Sequence, residues 1–69
     1  MNKTELINRL RAENKGEAFA TRTDLKRIMG VGFTTVDSML ANVDYIGLGK
    51  ARRYLVDDVA AVILENRRR

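Results

Sequence analysis

Two short amphipathic segments joined by a glycine turn constrain the fold of this chain more than any other feature. The segments occupy residues 21–40, and the first carries Leu25, Ile28 and Met29 at spacings of three and four positions. This spacing is typical of one face of a helix. Gly30 follows the last of these residues, where a left-handed backbone ends a helix without steric cost. The pattern therefore predicts a helix, a tight turn and a second helix.

The second segment repeats the same spacing at Val36, Met39 and Leu40. Thr21 or Thr23 can cap the first helix, because a threonine hydroxyl accepts a hydrogen bond from a free N–H of the first turn. Two amphipathic helices with a short glycine-containing turn match the helix-turn-helix motif. The second helix of that motif enters the major groove of DNA.

The rest of the chain predicts two further helices and a β-hairpin. The expected elements are an N-terminal helix within residues 1–16, the helix pair at 21–41, a two-stranded wing at 45–56 and a C-terminal helix at 57–66. Thr4 is the candidate cap of the N-terminal helix. Residues 17–20 are expected to form a connector with Phe19 in the core. The arms of the hairpin are expected at residues 45–46 and 53–55, around glycines that allow a tight loop.

Length and composition predict one small domain at 1–69. The chain contains neither Cys nor His, so disulfides and the usual soft metal sites are excluded, and no cofactor is expected. No apolar run approaches the roughly 20 residues of a membrane span, and no secretory signal is evident, so we expect a cytoplasmic protein with no membrane partner. The formal net charge of +4 favours a polyanionic partner.

The order of elements is that of a winged helix, and the sequence from residue 20 to residue 63 resembles the excisionase-like and MerR-like helix-turn-helix families. The resembling positions are Thr21, Leu25, Met29-Gly30-Val31, Thr35-Val36, Leu40, Gly49-Lys50-Ala51-Arg52-Arg53-Tyr54 and Asp58-Val59. The resemblance implies a mainly α fold with a small β-hairpin, that is, a winged helix-turn-helix. It also implies a small phage or mobile-element protein that acts as a recombination directionality factor, a regulator or the DNA-binding end of a packaging protein.

The expected DNA-binding residues fall into two groups. The recognition helix would contribute Phe33, Thr34, Thr35, Asp37 and Ser38. The wing and the helix that crosses the backbone would contribute Arg22, Lys26, Arg27, Lys50, Arg52 and Arg53. Each group has a structural alternative, because threonines cap helices, a phenylalanine packs in the core, and charged side chains protect the edge of a hairpin. Tyr45 and Tyr54 are expected to serve core and cross-strand packing.

Asp37 fits this interpretation least. Residues 31–49 contain Asp37 and Asp44 but neither Lys nor Arg, so the segment has a net charge of −2. A carboxylate is repelled by phosphate, although one that accepts from a cytosine amino group can be specific. The acidic segment motivates an alternative from another class. In this alternative a winged-helix protein-interaction module does not read DNA and uses Phe33 as an exposed anchor.

An enzyme is not expected, because catalysis without His or Cys would depend on carboxylates that are scattered along this chain. The expected partner is double-stranded DNA. Binding would be reinforced either by a second copy of the chain on repeated sites or by an integrase-like recombinase. Excisionase, repressor, activator and packaging adaptor remain open, because these roles differ in the DNA site and the partner.

Overall fold

A computed structural model describes residues 2–47 and 49–66, and this part of the chain contains four helices and one two-stranded antiparallel sheet. The helices are α1 (Lys3–Glu13), α2 (Arg22–Met29), α3 (Phe33–Leu40) and α4 (Val56–Glu65), and the strands are β1 (Phe19–Ala20) and β2 (Tyr54–Leu55). The predicted class, mainly helical with a small β element, is confirmed at this level.

The core is built from the apolar faces of all four helices. Its buried side chains are Leu10, Ala20, Leu25, Val36, Leu40, Tyr54, Val56, Val59 and Ala60. The helical spacing correctly predicted which side chains of α2 and α3 face the core. Ile28 and Met39, at the margins of the apolar faces of these helices, are half-buried. At one end of the molecule Arg11 of α1 forms an ion pair with Asp57 of α4, with 3.2 Å between Nη2 and Oδ1.

The ends of α2 are determined by local hydrogen bonding. Thr21, rather than Thr23, is the cap: its Oγ1 accepts from the N–H of Asp24 at 3.2 Å, and the Asp24 carboxylate accepts from the N–H of Thr21 at 3.1 Å. This reciprocal pair is a capping box. Gly30 ends the helix with a φ of 67°, a left-handed conformation that a side chain would disfavour.

The starts of α1 and α4 differ from the prediction. Asn2 caps α1 in place of Thr4, because its extended backbone lets Oδ1 accept from the N–H of Glu5 at 2.8 Å. Thr4 lies inside the helix. Helix α4 begins at Val56, one residue earlier than predicted, and the N–H of Val56 donates to the carbonyl of Ala18 at 2.8 Å.

The connector predicted at residues 17–20 contains a strand. Phe19 pairs with Leu55 and Ala20 pairs with Tyr54. Phe19 was expected in the core, but Ala20 is the fully buried residue and Phe19 is only partly buried. Asn14 stabilises this connection from the end of α1, since its buried Nδ2 donates to the carbonyl of Glu17 at 3.2 Å and to that of Phe19 at 2.8 Å.

The two-stranded wing predicted at residues 45–56 is reduced to a single bridge. Ile46 and Arg53 exchange two backbone hydrogen bonds, of 2.8 and 3.0 Å. Tyr54 and Leu55 were assigned to one arm of the hairpin, but they pair with β1 instead. We refer to residues 45–53 as the hairpin loop. Leu48 within it lies outside the described residues.

Candidate nucleic-acid interface

An open groove with a volume of about 660 Å³ lies between the helix pair and the hairpin loop. One wall consists of the start of α2 and the side of α3, and it includes Arg22 and Asp37. The other wall comes from the hairpin loop and includes Tyr45, Lys50 and Arg52. Four of the predicted DNA-binding residues, two on the helix pair and two on the hairpin loop, therefore border the same groove.

Arg22 and Asp37 form a bidentate ion pair on the first wall. The Nε of Arg22 donates to Oδ1 of Asp37 at 2.9 Å, and Nη2 donates to Oδ2 at 2.8 Å. Planar guanidinium and carboxylate groups match in this arrangement, which makes such pairs stronger than single hydrogen bonds. Both side chains remain about half exposed. Asp37 thus does not present a free carboxylate on α3, the predicted recognition helix.

The same pair shifts the pKa values of both groups. Hydrogen bonding to Arg22 lowers the pKa of the Asp37 carboxyl below its usual value, and this outweighs the smaller opposing effect of desolvation. Hydrogen bonding to Asp37 likewise raises the pKa of Arg22. Both groups are therefore ionised at neutral pH, and their charges cancel.

Two cations lie over the ring of Phe33. Its side chain is 36% exposed, which excludes the alternative of a core phenylalanine. The guanidinium carbon of Arg22 lies 4.1 Å from the centre of the ring, and Nζ of Lys26 lies 5.3 Å from it. Both distances are within the range of cation–π attraction. Phe33 therefore orders two basic side chains beside the groove.

Tyr45 is a groove residue that the sequence interpretation missed. The predicted cross-strand packing agrees with the contact between the two tyrosine rings, but Tyr45 is 49% exposed rather than part of the core, whereas Tyr54 is buried as expected. Its ring lies 5.9 Å from that of Tyr54 and carries the guanidinium carbon of Arg52 at 4.4 Å. The available signal was the antiparallel register of the hairpin, which puts the tyrosine close to Arg52.

Three of the predicted basic residues, Lys26, Arg27 and Arg53, do not line the groove. Arg53 is adjacent to Arg52 but lies on the opposite face of the hairpin loop, where it lines a smaller depression with Asp44 and Asp58. This follows from the alternation of side chains along extended backbone. Arg27 points toward the end of α1, with Nη1 at 3.5 Å from the carbonyl of Glu13.

The outer face of α3 is polar and accessible. Thr34 and Ser38 are exposed and lie one turn apart, on the side of the helix opposite to the buried Val36. Thr35 is exposed on one flank of this face. The alternative role of these threonines, capping, does not apply, because α3 begins after Gly32 without a side-chain cap.

The charges on the groove are predominantly positive. Among the described residues, the charged side chains that line it are Arg22, Lys50 and Arg52 against Asp37. Lys26 does not line the groove, but it lies one turn after Arg22 on α2 and contacts the same Phe33 ring. The net charge of −2 in residues 31–49 therefore does not describe the surface, since Asp37 is neutralised by α2 and Asp44 lies at the other depression.

No known protein family, curated protein or solved structure matches this chain. Within residues 2–47 and 49–66, no helix has the length and apolar character needed to cross a membrane. The same residues contain no cluster of acidic side chains that could hold a metal ion. The groove and the outer face of α3 are thus the features from which a function can be inferred.

Proposed function

We propose that this protein binds double-stranded DNA as a small winged helix-turn-helix domain. In this proposal α3 enters the major groove and the hairpin loop acts as the wing on the adjacent backbone. The observation that carries the proposal is the cationic groove beside the exposed face of α3, in which Arg22 neutralises the one carboxylate. A polyanion that enters this groove would meet three basic side chains and one carboxylate, which is paired with Arg22.

Base contacts are assigned to the outer face of α3. Thr34 and Ser38 can donate to or accept from base edges, because a hydroxyl does both. Phe33 can contact a thymine methyl with the exposed part of its ring. Thr35 lies on the flank of the helix and is assigned to the nearby phosphates.

Backbone contacts are assigned to the cations around the groove. Lys50 and Arg52 lie on the wing side, and Lys26 and Arg22 lie on the side of the helix pair. About four phosphate contacts correspond to a slope of about −3 to −4 in a plot of log K against log salt. So few contacts give weak binding by one domain. We therefore propose that specificity is completed by a second copy on repeated sites or by an integrase-like recombinase.

Within this class, the resemblance to excisionase-like proteins favours a recombination directionality factor or a small phage or mobile-element regulator. The competing protein-interaction module required Phe33 as an open apolar anchor. Arg22 and Lys26 lie over that ring, so only part of Phe33 is open and an apolar partner would have to bind beside two cations. The geometry thus supports the DNA-binding proposal better.

The proposal is tested by reversing two neighbouring charges that lie on opposite faces. Arg52→Glu should weaken binding to a random-sequence duplex by about tenfold or more, because it removes a cation from the groove and adds an anion there. Arg53→Glu makes the same change in net charge on the other face of the hairpin loop and should reduce the affinity for the duplex by about threefold or less. Fluorescence anisotropy between about 50 and 200 mM salt measures both effects.

Comparison of the two variants distinguishes a DNA-binding face at the groove from general electrostatic attraction between DNA and a basic protein. Equal losses in the two variants, or an affinity that does not change with salt, would contradict a DNA site in the groove. An absence of wild-type binding at about 50 mM salt would exclude the proposal as a whole and favour the interaction module.

A further inference from the structure

We propose that Asp37 is a positioning residue, which holds the guanidinium of Arg22 in the groove so that its remaining N–H groups bind a backbone phosphate of DNA. This inference rests on the proposed function and extends it. It means that the acidic residue of the recognition helix strengthens the binding of a polyanion.

The first step is the number of hydrogen-bond donors that the ion pair leaves free. A guanidinium has five N–H groups in a fixed plane. Asp37 accepts from Nε and from one N–H of Nη2, so both N–H groups of Nη1 and the second one of Nη2 remain. A guanidinium can therefore bind a carboxylate along one edge and a phosphate along another.

The second step is the orientation of the Arg22 head group. Two hydrogen bonds to Asp37 fix its plane, and the Phe33 ring lies 4.1 Å from its central carbon. The Arg22 side chain is still 49% exposed, so its free edge is accessible to a ligand. The head group is thus held before DNA arrives, as the rigid fork of an arginine allows.

The third step is the location of the pair. Arg22 and Asp37 line the same groove as Lys50 and Arg52, which come from the hairpin loop. A phosphodiester backbone lying in the groove would meet basic side chains from both walls. Arg52 is held over Tyr45 at 4.4 Å on its own wall, so each side supplies a guanidinium that is stacked on an aromatic ring.

The fourth step compares two opposing effects of Asp37, its repulsion of phosphate and its preorganisation of the Arg22 side chain. An isolated carboxylate in this position would repel phosphate, but both oxygens of Asp37 are engaged by Arg22. The repulsion across exposed surface is also screened by salt. A free arginine, in contrast, loses rotamer freedom when it binds a phosphate, and holding it beforehand removes that loss. We therefore expect the favourable effect of Asp37 to exceed its repulsion.

Two substitutions distinguish a positioning role of Asp37 from simple repulsion of phosphate. The two explanations predict changes in DNA affinity that differ in sign or in size. Asp37→Asn removes a negative charge, so it should tighten DNA binding if the carboxylate only repels. If Asp37 positions Arg22, the same change should weaken binding by about three- to tenfold. Arg22→Lys keeps the charge but cannot form the bidentate, stacked arrangement, and should weaken binding by a similar factor.

The probe is a fluorescently labelled, random-sequence duplex of about 20 base pairs, or roughly two helical turns, with binding followed by anisotropy. A double-mutant cycle shows whether Asp37 acts through Arg22. In an Arg22→Ala background, Asp37→Asn should leave the affinity unchanged or tighten it, because no guanidinium remains to be held. Weakening of the same size in that background would overturn the inference.

Asp44→Asn is the matched control. It removes the same charge from an exposed residue just before the hairpin loop, at the second depression, and should not weaken binding. Thermal unfolding of each variant confirms that the fold is intact, which is expected for a half-exposed ion pair. If Asp37→Asn binds as tightly as the wild type or more tightly, the positioning role is excluded while the DNA-binding proposal stands. If the wild type does not bind DNA, both are excluded.

Discussion

At the scale of single residues, the pairing of Arg22 with Asp37 decides which charge the helix pair presents. The composition of residues 31–49 indicated an acidic recognition helix. The structure brings in a cation from α2, so the acidic residue becomes part of a neutral pair. A contact between residues fifteen positions apart, on different helices, has no signature in hydrophobic spacing. The sequence could therefore nominate both residues but could not predict that they interact.

The pair makes a prediction about the titration of Asp37. Because Arg22 lowers the pKa of this carboxyl, the stability that the pair contributes is fully present above the pKa of an unfolded aspartate, and it is lost as pH falls through the folded pKa. We expect an NMR titration of the carboxyl carbon to give a pKa below the ordinary value of 3.8 for Asp37. Arg22→Ala should move it upward.

The Arg22→Ala variant serves as the internal reference for that titration, since it removes both hydrogen bonds and leaves the carboxylate exposed. A wild-type carboxyl that titrates at the ordinary value, or one that does not respond to the substitution, would contradict the ion pair in solution.

At the scale of elements, spacing and local chemistry were sufficient for the helices but not for the sheet. Leu25, Val36 and Leu40 occupy the buried faces that their spacing predicted. The strand β1 (Phe19–Ala20) could not be predicted, because two residues carry no periodicity and its partner lies far along the chain. The same long-range pairing removed Tyr54 and Leu55 from the predicted hairpin.

The capping box of α2 gives a prediction at this scale. Thr21→Ala removes the hydroxyl that accepts from Asp24 and should lower the free energy of unfolding by about 1 kcal/mol. Thr23→Ala is the control, because Thr23 was the other candidate cap and lies exposed inside the helix. Its effect should stay within about 0.5 kcal/mol.

Urea unfolding followed by circular dichroism measures both variants. A Thr23→Ala variant that is destabilised as much as Thr21→Ala would show that the helix begins elsewhere. It would also change the position of Arg22 relative to the groove, because this residue is the first of α2.

At the scale of the whole molecule, stability depends on a small shared core. A chain of this length is expected to have a free energy of unfolding of about 3–10 kcal/mol. Leu25 is 1% exposed and belongs to the cluster formed by all four helices. Leu25→Ala should cost about 2–5 kcal/mol, a large part of that total.

Ile46→Ala is the control for this prediction, because it removes the same number of carbon atoms from a side chain that is 39% exposed. Urea midpoints should fall sharply for the first variant and little for the second, with similar slopes. Equal losses would mean that the hairpin loop belongs to the same cooperative core as the helices.

The pairing of β1 with β2 determines the order in which the chain can acquire its binding surface. Helices α2 and α3 are neighbours in sequence and contact each other locally. The second wall of the groove lies on the hairpin loop, which has its own Ile46–Arg53 bridge and is joined to the rest of the fold where Tyr54 and Leu55 pair with Phe19 and Ala20. Closing so long a loop is slower than forming local contacts. We therefore expect α2 and α3 to pack against each other before the groove is complete, because the groove requires distant parts of the chain to meet.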